Sequence, residues 1–192
     1  PPPSPPPPPP PLTPHVVVRR QRQMCIRDRH HIPVKDLVDL TFDSDDKVSF
    51  RAAWILENVY VSRPADFLPA AAYFLNRFAT QDNLSCRRHY GKILALMTKR
   101  NAPQAIKEVL AQHPLDALVE TSFAWLIDEE VPVAIKSHML NILANLSARQ
   151  DWIRDELLQT MDCLVNKESI AFFAKAKQIR KQLKVKPGAY SR

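Results

Sequence analysis

Four groups of side chains in this sequence are spaced so that they could do chemistry. Cys86 and His89 stand three residues apart, so a single helical turn could turn both toward one metal ion. Zinc takes four ligands, or three and a water, and no second pair with such spacing follows. Cys163 and His138 would have to come from distant segments. The expected reading is therefore a half-buried cysteine beside a solvated histidine. Asp128-Glu129-Glu130 places three carboxylates together just before Pro132. General acid–base work needs a pair held at a set separation in a pocket, so a solvated acidic turn is the expectation. Trp54, Trp125 and Trp152 could stack on a base or another ligand, yet each falls in register with an apolar stripe, which predicts core packing.

The fourth group is basic. Arg87, Arg88, Lys92, Lys99 and Arg100 form one stretch, and Lys175, Lys177, Arg180, Lys181, Lys184 and Lys186 form another near the end of the sequence. Phosphate binding is one use of such residues. A solvated face on a terminal helix is the other, because the last unit of a helical stack needs a polar outer surface. Seven of these residues are the candidate contacts with a partner or nucleic acid: Arg87, Arg88, Lys92, Lys175, Lys177, Arg180 and Lys181. No G-x-S-x-G, Walker loop or H-E-x-x-H occurs. The Ser- and Gly-rich signature loop of the fumarase and adenylosuccinate-lyase type is likewise missing. No catalytic residue, cofactor or metal is assigned.

The elements that must position these residues are helices. Glycine occurs only twice in 192 residues, at Gly91 and Gly188. That scarcity argues against β-sandwiches, Rossmann sheets and glycine-rich phosphate loops. Apolar residues recur at helical spacing in eight segments: 46–61, 65–79, 84–99, 102–112, 115–127, 131–147, 152–166 and 168–183. Pro64, Pro103, Pro114 and Pro132 fall where helices should begin, positions at which a missing N–H costs little. Asn101 and Asn166 are the expected N-caps of the segments that follow them. Pairing neighbours gives starts near 46, 83, 114 and 151, with spacings of about 37, 31 and 37 residues. Val34–Phe42 has the spacing of one more helix, expected to be the second half of a pair.

The formal charge of +7 is uneven. Residues 1–30 carry five arginines against one aspartate, and residues 167–192 carry eight Lys or Arg against one glutamate. The intervening body is left at −4. No apolar run approaches the roughly 20 residues of a membrane helix. Three widely separated cysteines suit reduced thiols in the cytoplasm better than a disulfide framework.

Residues 1–14 are a proline tract that cannot pack a core. Residues 16–29, VVVRRQRQMCIRDR, resemble a translated sequencing-library adapter. The expectation is that residues 1–30 are a disordered, artefactual segment and that the evolved domain enters near His31. It then runs to residue 186, ahead of a flexible tail at 187–192.

The runs Asp82–Met97 and Val131–Leu146 resemble HEAT or armadillo repeats, in which a small or β-branched residue and a basic residue precede a leucine-rich stripe. The resemblance, closest in kind to small bacterial examples, implies an all-α superhelix of about four antiparallel helix pairs with a concave ligand-facing side. A compact irregular helical bundle is the alternative. What the resemblance implies for function is a non-catalytic scaffold for a protein partner. The DNA-alkylation-repair branch of such proteins uses aromatic and acidic residues on a basic concave face, which keeps nucleic acid open as the second reading. That branch's motif has no residue-by-residue match here, so no catalytic role is transferred.

Overall fold

The computed structural model describes residues 32–184, apart from Asn166. The expectations for residues 1–30 and 187–192, and for Asn166 as a cap, lie outside the described residues. All regular structure among the described residues is helical. In chain order the helices are α1 (Val34–Leu40), α2 (Asp46–Ser62), α3 (Pro64–Phe67), a 3-10 turn (Leu68–Ala70), α4 (Ala71–Phe78), α5 (Leu84–Met97) and α6 (Gln104–Gln112). They continue as α7 (Asp116–Ile127), α8 (Val133–Leu146), α9 (Asp151–Val165) and α10 (Ile170–Lys184).

Local chemistry sets the boundaries. Asp45 and Asn83 cap α2 and α5, each accepting from backbone N–H groups of the first turn. Pro64 opens α3, and Pro103 and Pro132 stand immediately ahead of α6 and α8. The cap expected at Asn101 is not there. Pro103 takes that place, with no side-chain hydrogen bond. Pro69 falls inside the predicted segment 65–79, and the chain there is not one helix but α3, a 3-10 turn and α4.

Helices α2, α5, α8 and α10 pack side by side in that order and form one layer. Their sequences explain why. Each carries four buried residues at the same i, i+4, i+7, i+11 spacing: Ser49, Ala53, Leu56, Tyr60 in α2; Cys86, Tyr90, Ile93, Met97 in α5; Ile135, Met139, Ile142, Leu146 in α8; Phe172, Ala176, Ile179, Leu183 in α10. The offsets between successive stripes are 37, 49 and 37 residues. The stripes face a second layer made of α1, α3–α4, α7 and α9. Tyr90 of α5 packs on Phe74 and Phe78 of α4, and Phe78 packs on Trp125 of α7. Thr41, Tyr90 and Gln81 share buried hydrogen bonds at the α1 end of this core. In chain order a helix or helical segment of the second layer precedes each layer helix, and α6 adds one more helix between α5 and α7. Val34–Leu40 packs on α2, the helix that follows it. The pairing read from the sequence puts α2 and α5 first in their pairs but α8 and α10 second, because α6 adds a helix between α5 and α7.

Close backbone approach and a buried ion pair each hold one junction of the layer. A Cβ built on Gly91 of α5 would lie 3.1 Å from His138 Cβ and 2.8 Å from Met139 Cε, both on α8. The absence of a side chain lets these helices approach closely. Lys136 of α8 is buried, with 1% of its side chain exposed, and its ammonium pairs with Glu168 in the turn before α10. The Glu168 carboxylate ties the last helix to its neighbour.

Replacing Glu168 with alanine leaves the Lys136 ammonium buried without its counter-charge, and stability should fall by about 3 kcal/mol. The Lys136→Met/Glu168→Ala double variant should recover most of that loss. Urea denaturation of the three proteins measures both values.

Candidate interaction surface

The residues that face away from the second layer define the free face of the α2–α5–α8–α10 layer. In α2 this face carries Arg51, with Trp54 at its edge; in α5 it carries Arg88, with Lys92 at its edge, and Lys99 follows in the turn after the helix. The stripe register sets these positions. On α8 the side chain of His138 sits against Gly91, one residue from Lys92. Lys175 of α10 occupies the same register position as His138 and reaches the same neighbourhood.

The electrostatics of the cluster show this convergence. Burial first, and then the positive charges of Lys92, Arg88 and Lys175, push the pKa of His138 down to about 4 against the opposing pull of Glu57. Lys175 is depressed by burial and by Lys99. Glu57 on α2 is the one carboxylate drawn into the group. Burial raises its pKa, but hydrogen bonds from Lys92 and His89 outweigh that and hold it below the ordinary value. His89 Nδ1 meets Glu57 Oε2 at 2.7 Å, and Lys92 binds the other oxygen.

The seven candidate contacts therefore divide. Arg88, Lys92 and Lys175 come together on the free face. Lys177, Arg180 and Lys181 do not join them. They occupy on α10 the positions that Gly91, Leu94 and Ala95 hold on α5 and Leu140, Leu143 and Ala144 hold on α8. In α5 and α8 those positions pack against the next helix of the layer, whereas on α10 Lys177 and Lys181 are exposed and Arg180 pairs with Asp162 of α9. Arg87 is turned to the other layer. Its Nε donates to the Gln81 carbonyl at 2.8 Å, its guanidinium lies 4.7 Å from the centre of the Trp125 ring, and burial lowers its pKa.

Several sequence expectations need correction. His89 is not solvated but buried against Glu57, with its ring edge toward Phe50 at 5.4 Å. Cys86 is fully buried, not half-buried, and lies in the core stripe while His89 turns to α2. Of the three tryptophans only Trp125 is a core residue. Trp54 is 49% exposed and Trp152 51% exposed. Phe50 is also exposed, one turn from Trp54 and in edge contact with His89. The signal that could have found both was positional. Ser49, Ala53, Leu56 and Tyr60 already fill the inward stripe of α2, leaving no inward place for 50 and 54. Asp128-Glu129-Glu130 forms an exposed turn in which Asp128 accepts the Glu130 N–H at 2.9 Å.

A two-layer helical stack with an open, polar free face defines the chain as an α-solenoid repeat domain. The HEAT repeat domain family model matches residues 19–183, and the chain belongs to that family. The match takes in residues 19–31, which lie outside the described residues. No curated protein matches the sequence.

The position of His138 predicts a pH effect. Its folded-state pKa lies below the ordinary 6.5, so the unfolded chain binds the proton first. The stabilisation it gives is complete above about pH 6.5 and is lost as pH falls toward 4, at up to about 1.4 kcal/mol per pH unit. Denaturation midpoints between pH 7.5 and 5 should fall more steeply for the parent than for His138→Gln.

Proposed function

We propose that this domain is a non-catalytic cytoplasmic scaffold that binds an acidic region of another protein along the free face of its α2–α5–α8–α10 layer. The observation that carries this reading is the convergence of Arg88, Lys92, Lys99 and Lys175 around a neutral histidine, with one carboxylate, Glu57, among them. Cations gathered on one surface from α5, the turn after it and α10 give electrostatic complementarity to an acidic partner. Phe50 and Trp54 add exposed apolar area at one end of the same face, the kind of aromatic anchor that dominates protein interfaces.

A second reading has its own support. Exposed aromatics beside lysines and arginines are also what single-stranded nucleic acid uses, with bases stacking on rings and phosphates meeting cations. The two readings differ in salt dependence and in the polymer preferred.

Fluorescence anisotropy of the full chain with a labelled oligoglutamate peptide and with labelled single- and double-stranded DNA, at 50 and 150 mM salt, separates them. The peptide should bind, and the Arg88→Glu/Lys92→Glu/Lys175→Glu variant should lose at least about tenfold in affinity, since like charge then opposes like. Tighter binding of DNA, lost in the same variant and falling steeply with salt, would favour the second reading. Equal behaviour of parent and variant toward all three probes would remove the free face from both.

A further inference from the structure

The opposite layer carries a surface of the contrary character. Helix α7 presents Asp116, Glu120, Phe123 and Ile127 on one stripe, turned from its buried residues Leu118, Val119, Ser122, Trp125 and Leu126. Phe123 stacks with Trp152 of α9, ring centres 6.4 Å apart and planes inclined at 27°. Trp152 satisfies its own indole N–H locally, donating to Gln150 Oε1 at 2.8 Å. The ring therefore needs no partner for its polar atom, yet half of it stays in water. Ile127, one turn beyond Phe123, is 56% exposed.

Scattered exposed apolar residues need no explanation. Two aromatics stacked between α7 and α9, with an isoleucine one turn beyond, form a patch. The charge around it is nearly all negative. Helix α7 has no basic residue, the Asp128-Glu129-Glu130 turn follows Ile127, and on α9 Arg154 stands between Asp151 and Asp155-Glu156. Asp128 lies near Arg87. None of the ion pairs among the described residues takes up Glu120, Glu129, Glu130, Asp155 or Glu156. An apolar centre with a charged rim is the anatomy of a protein interface.

We propose that the α7–α9 surface is a second docking site, for a basic amphipathic segment of a partner protein. An aliphatic or aromatic side chain of that segment covers Phe123, Ile127 and Trp152. Its lysines and arginines meet Glu120, Glu129, Glu130, Asp155 and Glu156, and an arginine plane can also lie on the Trp152 ring. Nucleic acid and acidic segments are repelled by the same rim. The two layers thus select partners of opposite charge, and one domain can hold both at once.

The test uses the full chain and a fluorescein-labelled 15-residue helical peptide of lysine and leucine with leucines at i, i+3, i+4 and i+7, followed by anisotropy at 50 mM salt. A glutamate-for-lysine version is the control. The lysine peptide should bind, and Trp152→Ser and the rim variant Glu120→Lys/Glu156→Lys should each weaken it at least about fivefold, while Arg88→Glu leaves it unchanged. The rim variant alters only exposed side chains, and circular dichroism confirms that both proteins fold. Unchanged binding in the rim variant overturns the proposal. So does glutamate-peptide binding that Trp152→Ser abolishes. Sedimentation of the free chain as a dimer that Trp152→Ser dissociates would assign the patch to a second copy and overturn it as well.

Discussion

Every inner helix of this molecule has to be buried on three sides at once: against the other layer and against a neighbour on each flank. The stripe of four buried residues meets the first demand, and it recurs in α2, α5, α8 and α10 with the same internal spacing. Once that stripe is fixed, the remaining positions have assigned directions. One flank meets the preceding helix, the other meets the following helix, and a narrow sector stays in water. Gly91 is required because its position is a flank where α8 comes within side-chain contact. Lys136 is tolerated on a flank only because the next pair supplies Glu168. The free face, with its cations, is what the geometry leaves over.

That constraint also explains what could be read from the sequence. The eight helical segments were legible from apolar spacing and proline placement, and most boundaries lie within two residues of the observed ones. The repeat character was legible in the resemblance of Asp82–Met97 and Val131–Leu146 to HEAT repeats. The run Val131–Leu146, the second helix of its pair in the sequence reading, belongs to the same layer as α2 and α5. Helix α6 disguised this, since its periodicity is as good as that of any repeat helix and nothing local marks it as an insertion.

The site was less legible, for a physical reason. A linear run of basic residues says how many charges there are but not which sector of the helix each occupies. Arg87 and Arg88 are neighbours in sequence and point 100° apart, one onto the Trp125 ring and the other into water. Lys175 and Lys177 are two residues apart, and one joins the cluster at His138 while the other lies on the flank beyond it. Tryptophan misled in the same way. Its size suggests the core, but Trp54 and Trp152 stand where the inward positions are already filled.

Helix α6 carries a consequence for how such a domain can change over time. Its presence lengthens the offset between the second and third stripes from 37 to 49 residues, yet α5 and α8 still meet as closely as their glycine allows. In a stack where each unit touches only its neighbours, continuity has to be kept in one layer alone. The other layer can accept or lose a helix, and its surface can be rewritten without disturbing the free face. Evolution can therefore revise the two surfaces separately.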